Sequence, residues 1–228
     1  MKFGGTSVAN LSRIKNLQQL VKNKILSGHK KIVVVVSAMS GVTNSLVKQY
    51  RKIDSDINKP EYDVILSTGE QYSSALISTF LNKNGVKSRS ILGWQVPIIT
   101  DNKFSQARIE KINTEKILKL FKNFNVLVVA GFQGISSEGR ITTLGRGGSD
   151  TSAVAMAVAL KSKVCEIYTD VEGIFSSDPR VVKDAKKIKN ITYEEILEMA
   201  SLGSKVLHPR SVELAMKYDI NIHVRSSF

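Results

Sequence analysis

Short unbroken apolar runs alternate along the chain with longer stretches of helical period. Lys31 to Ser37 (KIVVVVS) is a continuous β-branched run bounded by polar residues. A short run that is apolar at every position reads as a strand covered on both faces, as in parallel sheets. Ser88 to Trp94, Asn125 to Gly131, Val164 to Asp170 and Ile220 to Ser227 are of the same kind. Between them, Leu11, Ile14, Leu17, Leu20, Val21 and Ile25 recur at three and four. So do Ile109, Ile112, Ile117, Leu120 and Phe121, which predict a further helix. Ala153, Val154, Ala157, Val158 and Leu160 predict a small, closely packing helix. Strand–helix alternation of this sort predicts an α/β fold around a doubly covered, mostly parallel sheet. Pro60, Pro97, Pro179 and Pro209 suit loops or helix starts. The first strand is almost absent, Met1 to Phe3, and the chain stops directly after its last predicted strand at Phe228. That is the expected look of a domain cut from a longer protein.

Composition narrows the class without naming a function. The 228 residues are 42% hydrophobic and 23% charged, which excludes intrinsic disorder. A single cysteine, Cys165, excludes a disulfide scaffold. It falls in a predicted strand and reads as core. Trp94 likewise reads as packing, and His29 as solvated. No apolar run approaches the roughly 18 residues of a membrane span. No signal peptide precedes the first motif, so the expectation is a cytoplasmic protein with no membrane partner. The net charge of +13 invites a nucleic-acid reading. The basic residues are dispersed, however, and lack interleaved aromatics, so lysine-rich solvated surface and no nucleic-acid partner is the expectation.

In open α/β sheets ligands sit beyond the carboxyl ends of strands. Two glycine turns there open helices. In KFGGTSV (Lys2 to Val8), glycines allow close approach to an anion and Thr6-Ser7 would cap the helix. Lys2 adds a positive charge. In TTLGRGGSDTSA (Thr142 to Ala153), Arg146 lies in a glycine loop that runs into Ser149-Asp150. Each could be an ordinary βα turn with a capping residue, or a helix start that binds phosphate or carboxylate. Neither is a Walker A loop or a dinucleotide fingerprint. Together they suit a ligand with several negative charges, such as a nucleotide triphosphate with an acidic co-substrate. YTDVEGIFSSDPRV (Tyr168 to Val181) offers Thr169, Asp170 and Asp178 as acceptors for a base or ribose, and Arg180 for phosphates. In STGEQYSSAL (Ser67 to Leu76), Glu70 sits at a predicted helix start. There it either complements the helix dipole or receives a substrate ammonium.

These motifs, with VVSAMSGVTN (Val35 to Asn44), GSKVLHPRSVELA (Gly203 to Ala215) and VRSSF (Val224 to Phe228), occur in an order that strongly resembles the catalytic domain of the aspartokinase family. The resemblance covers essentially the whole chain, residues 1–228. It implies a three-layer αβα sandwich with a mainly parallel central sheet, the amino-acid-kinase-like fold. It implies transfer of the ATP γ-phosphoryl to the β-carboxylate of L-aspartate, with Mg²⁺, at the entry to lysine or diaminopimelate, threonine and methionine synthesis. C-terminal ACT regulatory domains, usual in the family, are absent from this chain, and the full-length protein is expected to be a homo-oligomer, a dimer.

By resemblance, Lys2 and Asp150 are the catalytic pair, Lys2 stabilising the transferred phosphoryl and Asp150 organising the lysine and acceptor. Phe3, Gly4, Gly5 and Ser37 would surround the ATP phosphates. Thr169, Asp170, Phe175, Ser176, Ser177, Asp178, Pro179, Arg180 and Lys205 would form the nucleotide site. Thr43, Glu70, Arg146, Gly147, Gly148 and Ser149 would bind aspartate, Glu70 at its ammonium and Arg146 at a carboxylate. No resident metal ligands are implied. His208, just before Pro209, reads as a loop residue. Ser204, Glu172 and Phe175 depart from the usual family residues, away from the proposed chemistry. Another amino-acid or nucleoside-monophosphate kinase is the runner-up; a basic nucleic-acid module, or a nucleotide-binding fragment without turnover, are the readings from other classes.

Overall fold

The computed structural model describes residues 1–179, 181–203 and 206–228. In chain order the elements are β1 (Lys2–Phe3), a 3-10 turn (Gly5–Val8), α1 (Leu11–Leu26), β2 (Ile32–Val36), α2 (Val42–Arg51), α3 (Pro60–Lys83), β3 (Ser88–Ile91), β4 (Ile98–Thr100), β5 (Ile109–Ile112), α4 (Thr114–Leu120), β6 (Val126–Ala130), β7 (Gln133–Ser136), β8 (Ile141–Thr143), α5 (Gly148–Ala159), β9 (Val164–Thr169), β10 (Ile174–Phe175), β11 (Lys187–Ile188), α6 (Tyr193–Ser201), α7 (Pro209–Tyr218) and β12 (Asn221–Ser226). Six strands form an all-parallel sheet in the order β12-β9-β1-β2-β6-β3.

The alternation of side chains along a strand builds the three layers. In β2 and β6, Val34, Val36, Val126 and Val128 meet Ile14, Leu17 and Val21 of α1 and Ile77 and Leu81 of α3. Their neighbours Val35, Leu127 and Val129 face the other way, towards Val154 and Met156 of α5, Ile117 of α4 and Val212 and Ala215 of α7. Both faces are dry, which is why these strands carry no polar position. The alanines of α5 (Ala153, Ala155, Ala157) suit a helix lying close on the sheet. A smaller mixed sheet, β5-β4-β7-β8, flanks the main one and leads through Thr142 and Thr143 into the Arg146 loop. No helix among the described residues is long and apolar enough to cross a membrane.

Several expectations are corrected. Ile109 to Phe121 is not one helix: Ile109–Ile112 is a strand, and Asn113 then caps α4 by accepting from the Lys116 N–H at 3.2 Å. Spacing at three and four had run across that break. Thr6 and Ser7 do not cap α1; Asn10 does, accepting from the Arg13 N–H at 3.0 Å. The Ser7 hydroxyl instead meets Ser227 at 2.8 Å, tying the first turn to the end of the last strand. Glu70 lies in the middle of α3, because that helix begins ten residues earlier with Pro60 in its first turn. Ser67-Thr68-Gly69 resembles a turn, but its small side chains serve a close approach: a Cβ at Gly69 would lie 2.7 Å from Ala38 Cβ. Trp94 is 43% exposed in a turn and does not pack. Cys165 is buried and His29 exposed, as expected.

Candidate active site

Four parallel strands end at one edge, and their hydrogen-bond ladder continues into the loops. The N–H groups of Gly4, Ser37 and Gly131 donate to Tyr168 O at 3.3 Å, Phe3 O at 3.1 Å and Val36 O at 3.0 Å. The ends of β9, β1, β2 and β6 are thereby fixed relative to one another. Close approaches at this edge demand glycine. A Cβ at Gly5 would sit 2.8 Å from the Ala38 carbonyl oxygen, and one at Gly131 would sit 2.9 Å from Ser149 Oγ at the start of α5. Gly147, which precedes α5, adopts φ 71° and needs the freedom of glycine for that reason alone.

Lys2 projects into this edge and is only 8% exposed. Its Nζ lies 2.6 Å from Asp150 Oδ1, in the first turn of α5. The contact is charge pairing and not an aligned hydrogen bond. Removing one member of such a buried pair leaves an uncompensated charge, at a cost of about 3–5 kcal/mol. Lys2 is firmly placed even though β1 is so short, because both flanking strands pair with it.

Glu70 reaches the same edge from α3. Its Oε1 accepts from the Ala38 N–H at 3.0 Å, whereas its Oε2 is buried with no hydrogen-bond partner. Burial pushes its pKa up to about 7, against the opposing pull of the Ala38 N–H. One turn away, Ser73 Oγ donates to the Ser37 carbonyl at 2.8 Å, so α3 also holds the loop after β2. Gly41, at φ 83°, starts α2, which places Thr43 half-buried beside that loop. Arg146 is exposed on its glycine loop and forms no salt bridge with a described residue.

Lys2, Phe3, Gly4, Gly5, Ser37, Glu70 and Gly147 to Asp150 are thus brought together. Thr169 and Asp170 follow β9, the strand beside β1, with the Thr169 hydroxyl donating to Asp170 Oδ1 at 3.1 Å. Phe175 to Pro179 stand apart, on and beyond the β10–β11 ribbon, largely exposed. Arg180 and Lys205, together with Ser204, lie outside the described residues.

Three contributors escaped the sequence reading. Asp63, fully buried in α3, accepts from Ser105 N with both oxygens at 3.0 Å, from Thr143 N at 2.6 Å and from Thr143 Oγ1 at 2.7 Å. It anchors the strand that leads into the Arg146 loop; burial raises its pKa, and these hydrogen bonds oppose the rise. Gln133 donates to the Ser67 carbonyl at 3.0 Å and leaves a buried Oε1 without a partner. His208 lies against Gly147. A polar residue directly after a Gly-Phe strand end was the available signal for Gln133; His208 lay in a quoted motif but was read only as a loop residue, and nothing in the sequence marked Asp63.

The architecture defines the chain as a three-layer αβα domain that presents the carboxyl edge of a parallel sheet, with a lysine–aspartate pair, to a ligand. The chain belongs to the amino acid kinase family, whose sequence model matches residues 1–226. An aspartokinase from Rickettsia felis is 50% identical over 230 aligned positions, covering 100% of this chain and 57% of that protein. The crystal structure of an aspartate kinase from Synechocystis is 49% identical with a TM-score of 0.86, over 99% of this chain and 37% of that one. E. coli aspartokinase III, solved with aspartate and ADP, is 31% identical with a TM-score of 0.86, over 99% and 61%. The chain therefore spans little more than half the length of the curated relatives it matches.

Proposed function

We propose that this chain is the catalytic portion of an aspartokinase, forming ADP and 4-phospho-L-aspartate from ATP and L-aspartate. The observation that carries the reading is one sheet edge that holds both an ion-paired lysine and a buried carboxylate with one oxygen lacking a hydrogen-bond partner. The lysine suits a phosphoryl group; the free Glu70 oxygen suits an ammonium. Similarity to E. coli aspartokinase III, solved with aspartate and ADP, supports the same assignment.

In this reading a β-carboxylate oxygen of aspartate attacks the γ-phosphorus in line, and the bond from that phosphorus to the ADP oxygen breaks. The nucleophile is already ionised, so no proton transfer to the protein is needed. The protein's part is positioning and charge stabilisation, the main contributions in phosphoryl transfer. Lys2 stabilises charge on the transferring group, with Asp150 orienting its ammonium. Gly4, Gly5 and Ser37 lie along the phosphates. Glu70 and Arg146 fix the two ends of aspartate, aided by Thr43 and Gly147 to Ser149. Thr169, Asp170, the Phe175–Pro179 segment, Arg180 and Lys205 make the nucleotide side.

Among the described residues no group of three or more His, Cys, Asp or Glu could hold a metal ion. In this reading Mg²⁺ would come with the nucleotide and would supply neutralisation of its phosphate charge. A cytoplasmic homodimer of the full-length protein, with the surplus basic residues as solvated surface, belongs to the same reading. The test is ATP- and aspartate-dependent ADP release by the full-length protein, with hydroxylamine trapping of the acyl phosphate. ADP release with no trapped aspartyl hydroxamate would sink the proposal.

A further inference from the structure

His208 stands at the start of α7, and its imidazole lies directly against the backbone of Gly147. A Cβ at position 147 would sit 2.2 Å from His208 Cγ and 2.6 Å from Cδ2. Two residues on, Arg210 donates to the Leu144 carbonyl at 2.5 Å and to the Ala107 carbonyl at 3.1 Å. The turn is itself pinned, since the Ser211 hydroxyl and N–H donate to the His208 carbonyl at 2.7 Å and 2.9 Å. Both flanks of the Arg146 loop, Leu144 before it and Gly147 after it, therefore rest on one turn of α7.

We propose that His208 is a positioning residue that sets the Arg146 loop for the substrate carboxylate. The proposal rests on the kinase reading given above. The charges within electrostatic reach of the imidazole are Arg210 and Glu213 of α7, Asp150 of α5 and Arg146 of the loop. Burial, and then the Arg210 charge, hold its pKa below the ordinary 6.5, with Asp150 opposing. The Nδ1 atom is buried without a hydrogen bond, so the ring acts there as a packing surface. Protonation would add a cation beside Arg146 and Arg210. A group whose pKa is lowered in the fold supports that fold above its ordinary pKa and ceases to do so as pH falls through the lowered one. The loop is thus held near neutrality and loosened in acid.

In the full-length protein, His208→Gln is expected to raise the aspartate KM about tenfold while kcat changes less than about twofold, the scale of a slightly misplaced binding group. Below pH 6.5 the wild-type aspartate KM rises through both Glu70 and His208, and His208→Gln removes the histidine's share, so the limb becomes shallower. Arg210→Gln raises KM but keeps the limb, because the imidazole remains. Hydrogen exchange at the Gly147 and Ser149 amides gives a readout independent of turnover, and His208→Gln accelerates it locally. If His208→Gln does not fold, His208→Asn carries the same measurements. Unaccelerated exchange, or a wild-type KM and acid limb in the variant, overturns the proposal. So does a lowered melting temperature with neither KM nor the limb moved. An inactive wild type whose variant still shows local acceleration would instead refute the kinase reading and leave the positioning role standing.

Discussion

If Glu70 receives the substrate ammonium, as proposed, aspartate binding and proton release become one event. Its carboxyl is held up at about 7 from an ordinary 4.5, with burial as the dominant cause. The sign is the reverse of the usual acidic group. Between those values the folded state keeps a proton that the unfolded state has released. The free protein therefore loses stability as pH rises through the window, by ~3 kcal/mol once ionisation is complete. A substrate ammonium at the free Oε2 offsets that cost and draws the group into its ionised form. The proton present beforehand must then leave.

With a pKa of about 7, roughly nine-tenths of the sites carry the proton at pH 6, half at pH 7 and one-tenth at pH 8. Aspartate binding should release about those fractions of a proton per site. Titration calorimetry in buffers of different ionisation enthalpy reads this directly from the dependence of apparent enthalpy on buffer. His208, with its pKa below 6.5, contributes little above pH 7, so the arm from pH 7 to 8 belongs to Glu70. Glu70→Gln should abolish the release and weaken aspartate binding. Equal release at pH 7 and pH 8 in the wild type, or release that persists in Glu70→Gln, would refute the assignment of Oε2 to the ammonium.

Lys2→Ala and Asp150→Asn should each lower kcat by about 10²–10³, the scale for losing one preorganised electrostatic group. Because the two side chains form one pair at 2.6 Å, the double variant should lose far less than the product, and multiplicative losses in steady-state kinetics would contradict this coupling. Asp63→Asn sets an amide N–H₂ against a site built to receive only donors. It should cost ~3 kcal/mol of stability, and an unchanged denaturation midpoint would show that the Ser105 and Thr143 contacts carry little. Gly147→Ala adds ~1–2 kcal/mol of left-handed backbone strain to a Cβ set 2.2 Å from His208 Cγ. The aspartate KM should rise more than the ATP KM, and equal changes would argue against the loop's assigned role.

The layers of the fold were legible because burial on both faces leaves β2 and β6 no room for polar positions, and a run such as KIVVVV records that directly. The length of α3 was not legible. Its middle is Ser67-Thr68-Gly69, chosen for close approach to Ala38, and closeness selects the same small residues that turns do. The pairing of Lys2 with Asp150 came only through the family resemblance, and periodicity alone hid it for a different reason. Both motifs were visible as helix-opening turns, but their meeting depends on strand order, with β1 lying between β2 and β9 and α5 starting beneath that edge. Periodicity carries no information about order. His208 and Asp63 act through backbone they touch from distant elements, and a sequence pattern has no means to mark such a contact.

The buried polar atoms make the same point from the energetic side. Among the described residues four buried side-chain atoms lack a hydrogen-bond partner: Glu70 Oε2, Gln133 Oε1, Asp150 Oδ1 and His208 Nδ1. Only the Asp150 oxygen has a compensating charge, from Lys2. Each such group costs about 1–3 kcal/mol when left dry, so together they rival a substantial part of the net stability of a domain. Chance would scatter them through the fold. Instead Glu70 and Asp150 reach the edge formed by β1, β2 and β6, Gln133 bonds α3 one turn from Glu70, and His208 lies against the Gly147 backbone. A ligand that satisfied these atoms would recover that cost. The occupant that could do so is a ligand with a cationic group for Glu70 and anionic groups for Lys2 and Arg146, which an amino acid and a nucleotide polyphosphate supply together.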